Sequence, residues 1–166
     1  MLHEKLTISD VKKIQEEIEH RKLVIRKEAL ESVKEARAHG DLSENFEYKA
    51  AKQYKNRNES RIRYLEKMLK NAEIIEDNYR DDQVGLNSLV EVYIPEDEEL
   101  ETYKIVTSVR GNSLKNCISI ESPLGRALLG HRVGDVIHVL VNENYCYDVE
   151  IRSIKKSNEE EQIRGF

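Results

Sequence analysis

The chain has no tryptophan, only two phenylalanines, two prolines and two cysteines among its 166 residues. Aromatic residues make up 6% of the sequence and charged residues 36%. This scarcity excludes a thick aromatic core, and it means that much of the chain is solvated surface. The composition therefore favours a long exposed helical element, in a chain long enough for one compact domain or two small ones.

The two cysteines, Cys117 and Cys146, lie far apart and belong to no Cys-x-x-Cys or Cys/His pattern. The sequence therefore predicts reduced thiols, without a disulfide framework or a zinc site. No apolar run approaches the roughly 18–20 residues needed to cross a bilayer, and the first residues lack the apolar segment of a signal peptide. A cytoplasmic protein with no membrane partner is expected.

The formal net charge of −5 argues against a protein that coats nucleic acid by bulk electrostatic attraction, since such domains are usually strongly basic. The charge is unevenly divided. Residues 1–80 hold 18 Lys and Arg against 16 Asp and Glu, whereas residues 81–166 hold 9 against 16. The first half is slightly basic and the second half clearly acidic.

Apolar residues recur three or four positions apart from residue 11 to residue 36, with one gap at Arg21 and Lys22. This seam consists of Val11, Ile14, Ile18, Ile25, Ala29, Val33 and Ala36. It predicts one helix of about 30 residues, about 45 Å long. Ser9 and Asp10 offer N-capping side chains, and Gly40 suits the position just past the helix end.

A second seam runs from Tyr48 to Ala72 and carries two polar members, Lys55 and Asn58. Only a few residues separate the two seams, so the helices are expected to fold back as an antiparallel coiled-coil hairpin over residues 1–78. Polar seam positions weaken local pairing but help to fix register.

After about residue 80 the pattern changes to the alternation of half-buried strands. Strands are predicted around Val90 to Ile94 and over 103–109, 116–120, 135–141 and 145–151, with a short helix over 124–129. The expected organisation is a linker over 79–87, an antiparallel sheet domain over 88–156 and a frayed charged tail over 157–166. The predicted fold class is therefore α+β.

The predicted turn of the hairpin carries two carboxylates three residues apart, Asp41 and Glu44. Such a pair can ligate Mg²⁺, but two carboxylates alone in water make a poor site, because Mg²⁺ needs further oxygen ligands. The same spacing also fits a capping box, with Asp41 as N-cap and Glu44 at the third helical position. Spacing alone favours the capping role.

Two segments carry a resemblance to a known family. Residues 36–52 closely resemble the signature A-R-x-x-G-D-L-S-E-N-x-E-Y-x-A-A-K of bacterial Gre-type transcript-cleavage factors. Residues 121–130, E-S-P-L-G-R-A-L-L-G, followed by Val133-Gly134-Asp135, resemble the second signature of that family. The resemblance covers nearly the whole chain.

The resemblance implies an N-terminal coiled coil and a C-terminal domain of FKBP-like type that docks on RNA polymerase at its secondary channel. It implies that Asp41 and Glu44 help the polymerase to hold a catalytic Mg²⁺ that cleaves backtracked nascent RNA. The chain would then be an accessory factor rather than an enzyme, and a monomer when free. The implied polymerase-docking residues are Ser122, Pro123, Leu124 and Gly125.

Residues 49–63, which follow the predicted turn, contain six basic residues and a single acidic residue, Glu59. The basic residues are Lys49, Lys52, Lys55, Arg57, Arg61 and Arg63. With Arg37 from the other helix, this excess can contact RNA phosphates. The predicted RNA-contacting residues are Arg37, Lys49, Lys52 and Lys55, and the alternative is an ordinary solvated helix face.

Two aromatic residues near the tip, Phe46 and Tyr48, could stack on a base, although Tyr48 lies on the seam and fits a core role better. The family commonly has a small residue where this chain has Phe46.

Three other functions remain open on the sequence. A Gre-like paralogue could bind the same channel and inhibit polymerase without cleavage. The C-terminal domain could be a prolyl isomerase, although shared fold is weak evidence for activity. A plain coiled-coil adaptor could use Asp41 and Glu44 only to cap a helix.

Overall fold

The computed structural model describes residues 3–40 and 45–165. These residues divide into two compact units. The first, which we call the hairpin unit, comprises residues 3–4 and the described part of 8–73. The second, the sheet unit, comprises residues 5–7 and 74–165. No helix within the described ranges is long and apolar enough to cross a membrane.

The hairpin unit is built from three α-helices: α1 (Ile8–His20), α2 (Arg26–Ala38) and α3 (Phe46–Asn71). A π-helical segment, Arg21–Ile25, joins α1 to α2. The predicted helical hairpin is thereby confirmed. The predicted N-cap is wrong, because α1 begins at Ile8 and places Ser9 and Asp10 inside its first turn. Gly40, with φ of +134°, follows the end of α2 as predicted, in a conformation that favours glycine.

The π-helical segment coincides with the gap in the first apolar seam. Its backbone stays helical, and Arg26 N–H donates to the carbonyl of Arg21, five residues back. Such a turn holds one residue more than an α-turn and shifts every later side chain around the helix. Ile14 before the segment and Ala29 after it are both fully buried. The inserted residue therefore keeps both halves of the first seam packed.

A buried polar network ties this segment to α3. The side-chain amide of Asn58 accepts from the Arg21 guanidinium at 3.0 Å and donates to the Arg21 carbonyl at 3.2 Å. Glu17 accepts from Arg21 at 2.9 Å and from Arg61 at 3.0 and 3.3 Å. Asn58 and Arg61 are only 3% and 5% exposed. The prediction that Asn58 is a polar seam residue agrees with its burial.

Nearer the turn, Arg26 and Glu59 form a bidentate ion pair, with N–O distances of 2.7 and 2.9 Å. The hydrogen bond from Arg26 holds the pKa of Glu59 below its ordinary value. Paired donors and acceptors of this kind add geometric specificity as well as energy. Together with the buried network, the pair fixes how α2 and α3 align.

The Glu17 carboxylate should be the critical member of the network. Burial raises its pKa, but the hydrogen bonds from Arg61 and Arg21 outweigh burial and lower the pKa below 4.5. Glu17→Gln leaves the buried Arg61 without its anion, and we expect the free energy of unfolding to fall by about 2 kcal/mol at pH 7. Urea denaturation followed by circular dichroism measures it.

The pKa of Glu17 is lowered in the folded state. Its contribution to the stability of the protein is therefore present above pH 4.5, the ordinary pKa of the group, and is lost as the pH falls through the folded pKa. The difference between Glu17→Gln and the parent should therefore shrink below pH 4.5. The matched control is Glu16→Gln, which breaks only an exposed pair with Lys13 and should change stability by less than about 0.5 kcal/mol. Equal losses for both variants would show that the network adds nothing specific.

The sheet unit contains a five-stranded sheet in the order β5-β4-β3-β7-β6. Its strands are β3 (Ser88–Ile94), β4 (Glu99–Val106), β5 (Cys117–Ser119), β6 (Val136–Asn142) and β7 (Tyr145–Lys156), with a 3₁₀ turn at Ser108–Arg110. Two short strands precede it, β1 (Lys5–Leu6) and β2 (Glu73–Ile74). The α+β class is confirmed, but β5 runs parallel to β4, so the sheet is mixed rather than wholly antiparallel.

The core of the sheet unit lies between one sheet face and the short helix α4 (Pro123–Leu128). Val90, Ile105, Val139 and Ile151 are fully buried in it with Leu128. Both cysteines are free, as predicted. Cys117 is buried, which raises its pKa, whereas Cys146 is exposed.

The tail from residue 157 is held against the sheet unit, so the prediction of a frayed tail is wrong. The ammonium group of Lys104 donates to the Glu159 carbonyl at 2.6 Å and to the Glu161 carboxylate at 3.2 Å. Arg110 donates to the Glu161 carbonyl. The backbone N–H of Arg164 donates to the carbonyl of Val109 at 2.8 Å. The tail therefore supplies acceptors to two buried cations on β4 and the turn that follows.

Removal of residues 157–166 should destabilise the sheet unit, because Lys104 and Arg110 are only 6% and 5% exposed and lose these acceptors. We expect a loss of about 1–2 kcal/mol, since solvent replaces part of each interaction. Thermal unfolding of the truncated chain measures it. Glu159→Gln, which keeps the backbone carbonyl that accepts from Lys104, is the control and should be nearly neutral.

Candidate functional site

The free end of the hairpin is organised by Asn45, which is the N-cap of α3. Its side-chain oxygen accepts from the backbone N–H of Tyr48 at 3.0 Å. Its amide nitrogen donates to the carbonyl of Ala36, at the end of α2, at 2.7 Å. One side chain thus accepts from a free backbone N–H at the start of α3 and donates to a free backbone carbonyl at the end of α2. It links the two helix ends that precede and follow residues 41–44.

This assignment overturns the capping-box interpretation, which placed the N-cap of the second helix at Asp41 and Glu44 in its first turn. The helix begins at Phe46 and is capped by Asn45. Asparagine was available at that position in the sequence, and it is among the preferred N-cap residues. A capping box needs Glu or Gln three residues after the cap, and Asn45 is followed at that place by Tyr48.

Asp41 and Glu44 lie outside the described residues, together with Leu42 and Ser43. Their role as metal-binding and catalysis-assisting residues therefore stays a prediction. Over 3–40 and 45–165, no three His, Cys, Asp or Glu side chains come together as a possible metal site.

The end of α2 and the start of α3 carry positive charge. The Arg37 guanidinium lies over the Tyr48 ring, 5.5 Å from its centroid, and donates to its hydroxyl at 3.5 Å. This hydrogen bond, helped by the charges of Arg37, Lys52 and Lys55, holds the pKa of Tyr48 below its ordinary value. Three cations therefore lie near Tyr48, in a chain of negative net charge.

The predicted RNA-contacting residues all lie in the hairpin unit, near its free end. Arg37, Lys49 and Lys52 are exposed, and Lys55 is half-buried. Arg61 differs from the others in the basic segment, because it is buried in the ion pair with Glu17. Sequence alone did not separate Arg61 from its neighbours, although it lies three residues after the seam position Asn58.

Ser122 to Gly125, the predicted docking residues, form the start of α4. The Ser122 hydroxyl caps the helix by accepting from Gly125 N–H at 3.0 Å. Leu124 and Gly125 are buried, and a Cβ on Gly125 would lie 2.0 Å from the Ser119 carbonyl oxygen. These two residues therefore pack the unit, whereas Pro123 is exposed and Ser122 half-buried. Of the four, only Ser122 and Pro123 are open to solvent, and the docking role of all four stays a prediction.

The two hydrogen bonds of Asn45 can be separated by substitution. Asn45→Asp keeps an acceptor for Tyr48 N–H but loses the donor to Ala36, whereas Asn45→Ala loses both. We expect Asn45→Ala to destabilise the end of the hairpin by about 1–2 kcal/mol and Asn45→Asp by less. Amide hydrogen exchange at Tyr48 measures the difference, and it should accelerate more in Asn45→Ala. Equal protection in both variants would contradict a capping role.

Two family models match this chain. The N-terminal model of transcription elongation factors matches residues 4–74, and the GreA/GreB C-terminal model matches residues 79–156. Together they span the helical hairpin and the five-stranded sheet.

Curated relatives agree over nearly the full length. The chain is 45% identical to transcription elongation factor GreA of Lachnoclostridium phytofermentans over 92% of this chain and 96% of that protein. It is 48% identical to the GreA of Thermoanaerobacter pseudethanolicus over 82% and 87%. The crystal structure of GreA factor homolog 1 (Gfh1) of Thermus thermophilus is 30% identical, with a TM-score of 0.43, over 93% of this chain and 99% of that chain. The family models and curated relatives show that the chain belongs to the GreA/GreB family of transcription elongation factors.

Proposed function

We propose that this elongation factor enters the secondary channel of bacterial RNA polymerase and stimulates the Mg²⁺-dependent cleavage of backtracked nascent RNA by the polymerase. In this proposal the chain rescues arrested complexes as an accessory factor, and the hydrolytic centre belongs to the polymerase. The chain contributes Asp41 and Glu44 to that centre.

The observation that carries the proposal is the capping of α3 by Asn45. The strongest competing explanation for the acidic pair was a capping box, which would need Asp41 and Glu44 for local stability. Asn45 already satisfies the Tyr48 N–H and also bonds to Ala36 across the turn. The helix therefore does not need the two carboxylates as its cap, and a role outside the hairpin accounts for them better.

The chemistry of the donor set supports a shared metal. Asp41 and Glu44 offer carboxylate oxygens, the ligand type that Mg²⁺ prefers, but too few of them for a complete coordination sphere. A second protein must supply the remaining ligands. Mg²⁺ held by Asp41, Glu44 and the ligands of the second protein would supply electrostatic stabilisation for phosphodiester hydrolysis.

The positive charge at the end of α2 and the start of α3 supports contact with RNA. The exposed cations Arg37, Lys49 and Lys52, with the half-buried Lys55, lie in the two helices that flank the turn. Phosphate contacts of this kind position a nucleic acid without reading its sequence. They suit a factor that must act on any transcript, whatever its 3′ sequence.

The sheet unit is proposed to dock on the polymerase through the start of α4. Pro123 is exposed, and Ser122 both caps α4 and donates to the Ser119 carbonyl at 2.6 Å. The close contact of Gly125 with Ser119 holds this loop against the sheet unit. A rigidly held loop loses little conformational freedom on binding, which favours a docking role.

Asp41→Asn combined with Glu44→Gln tests the proposal. The double variant keeps size and hydrogen bonding but removes both charges, so it should bind polymerase like the parent and lose at least about 100-fold in cleavage stimulation. The measurement is the shortening of end-labelled RNA in a stalled, backtracked elongation complex, beside a binding assay with the same complex.

Glu47→Gln is the matched control. Glu47 is an exposed carboxylate in the first turn of α3 and pairs with His39 at 3.2 Å, so its loss should leave cleavage nearly unchanged. A parent protein that binds the complex but never shortens the RNA would favour the inhibitory paralogue. A double variant that cleaves as the parent does would favour the plain adaptor.

A further inference from the structure

Phe46 is the most exposed aromatic side chain of the described hairpin unit, with 81% of its surface open to solvent. It is the first residue of α3 and follows the N-cap Asn45 directly. Its ring serves neither the cap, which Asn45 supplies, nor the seam, where Tyr48 and Ala51 lie half-buried. A large apolar ring held in water beside the acidic turn has no structural role in the free protein.

The neighbour that the structure describes over the ring is a cation rather than an apolar side chain. The Lys49 ammonium lies over the ring, 5.7 Å from its centroid. Lys49 and Lys52 are exposed on the same helix, and Arg37 is exposed at the end of α2. An apolar protein partner would require a contiguous apolar patch, whereas here a single ring is bordered by charges. An exposed aromatic ring beside a cation is an arrangement that binds unpaired nucleic acid.

We infer that Phe46 stacks on an unpaired base of the extruded RNA 3′ segment, while Lys49 contacts the adjoining phosphate. The inference rests on the proposed function, because that function brings single-stranded RNA to the end of the hairpin. Stacking is tolerant of sequence, since every base has a π-face, and it therefore agrees with action on any transcript. Phe46 is an RNA-binding residue in this scheme, distinct from the acidic pair that assists the chemistry.

A binding measurement tests the contact apart from cleavage. The probe is a backtracked elongation complex with Ca²⁺ in place of Mg²⁺, so that the RNA stays intact, titrated with fluorescently labelled factor. Phe46→Ala should raise the apparent Kd about tenfold, and Phe46→Trp should bind at least as tightly as the parent. An elongation complex without extruded RNA should bind the parent and Phe46→Ala equally.

Tyr54→Ala is the matched control. Tyr54 is also an exposed aromatic residue of α3, 46% open to solvent, but it lies eight residues farther from the turn. Its removal should leave the Kd within about twofold of the parent. Equal weakening by Tyr54→Ala and Phe46→Ala would overturn the inference, because any exposed ring on this helix would then contribute alike.

The base itself is tested by replacing the extruded nucleotides with abasic ones, one at a time. At one position the parent should fall to the affinity of Phe46→Ala, and Phe46→Ala should lose nothing more. A constant ratio between parent and Phe46→Ala across every abasic complex would overturn the stacking contact.

The proposed cleavage function has its own readout. It fails if Asp41→Asn with Glu44→Gln still stimulates cleavage in Mg²⁺. The stacking contact fails if Phe46→Ala binds as the parent does while cleavage depends on the acidic pair. The two failures are therefore distinguishable.

Discussion

The pairing of the half-buried Glu17 carboxylate with Arg21 and Arg61 is the interaction on which the geometry of the hairpin depends. Heptad seams pack nearly as well when one helix slides by seven residues, so apolar contacts alone specify register poorly. A buried guanidinium that loses its anion costs far more than a displaced leucine. Because Asn58 also bonds both the backbone and the side chain of Arg21, sliding α3 would leave several buried polar groups unpaired.

Register matters because the residues proposed to contact RNA come from both helices. Arg37 of α2 lies over Tyr48 of α3, and Asn45 reaches back to the Ala36 carbonyl. Neither contact would survive a slip of one heptad. The polar network in the middle of the hairpin therefore determines which cations lie beside the turn, although none of its members lies at the turn itself.

The periodic parts of the fold were predictable from the sequence, since apolar spacing predicts helices and strands directly. The π-helical segment was not predicted, yet its signal was present. The one gap in the first apolar seam falls at Arg21 and Lys22, within the π-helical segment Arg21–Ile25.

Other features depended on contacts that spacing does not encode. The parallel pairing of β5 with β4 and the docking of the tail join residues distant in sequence. Arg61 resembles its basic neighbours until the structure places it against Glu17. At the tip, the Asp-x-x-Glu pattern competed with Asn45 for the same capping role, and only the start of α3 at Phe46 decided between them.

Phe46 occupies a position between the acidic pair and the basic segment, where a small residue would serve α3 equally well. An exposed ring there lowers solubility and adds nothing to the cap or the seam. A gain on binding RNA would balance that cost, because a base stacked on the ring would remove it from water.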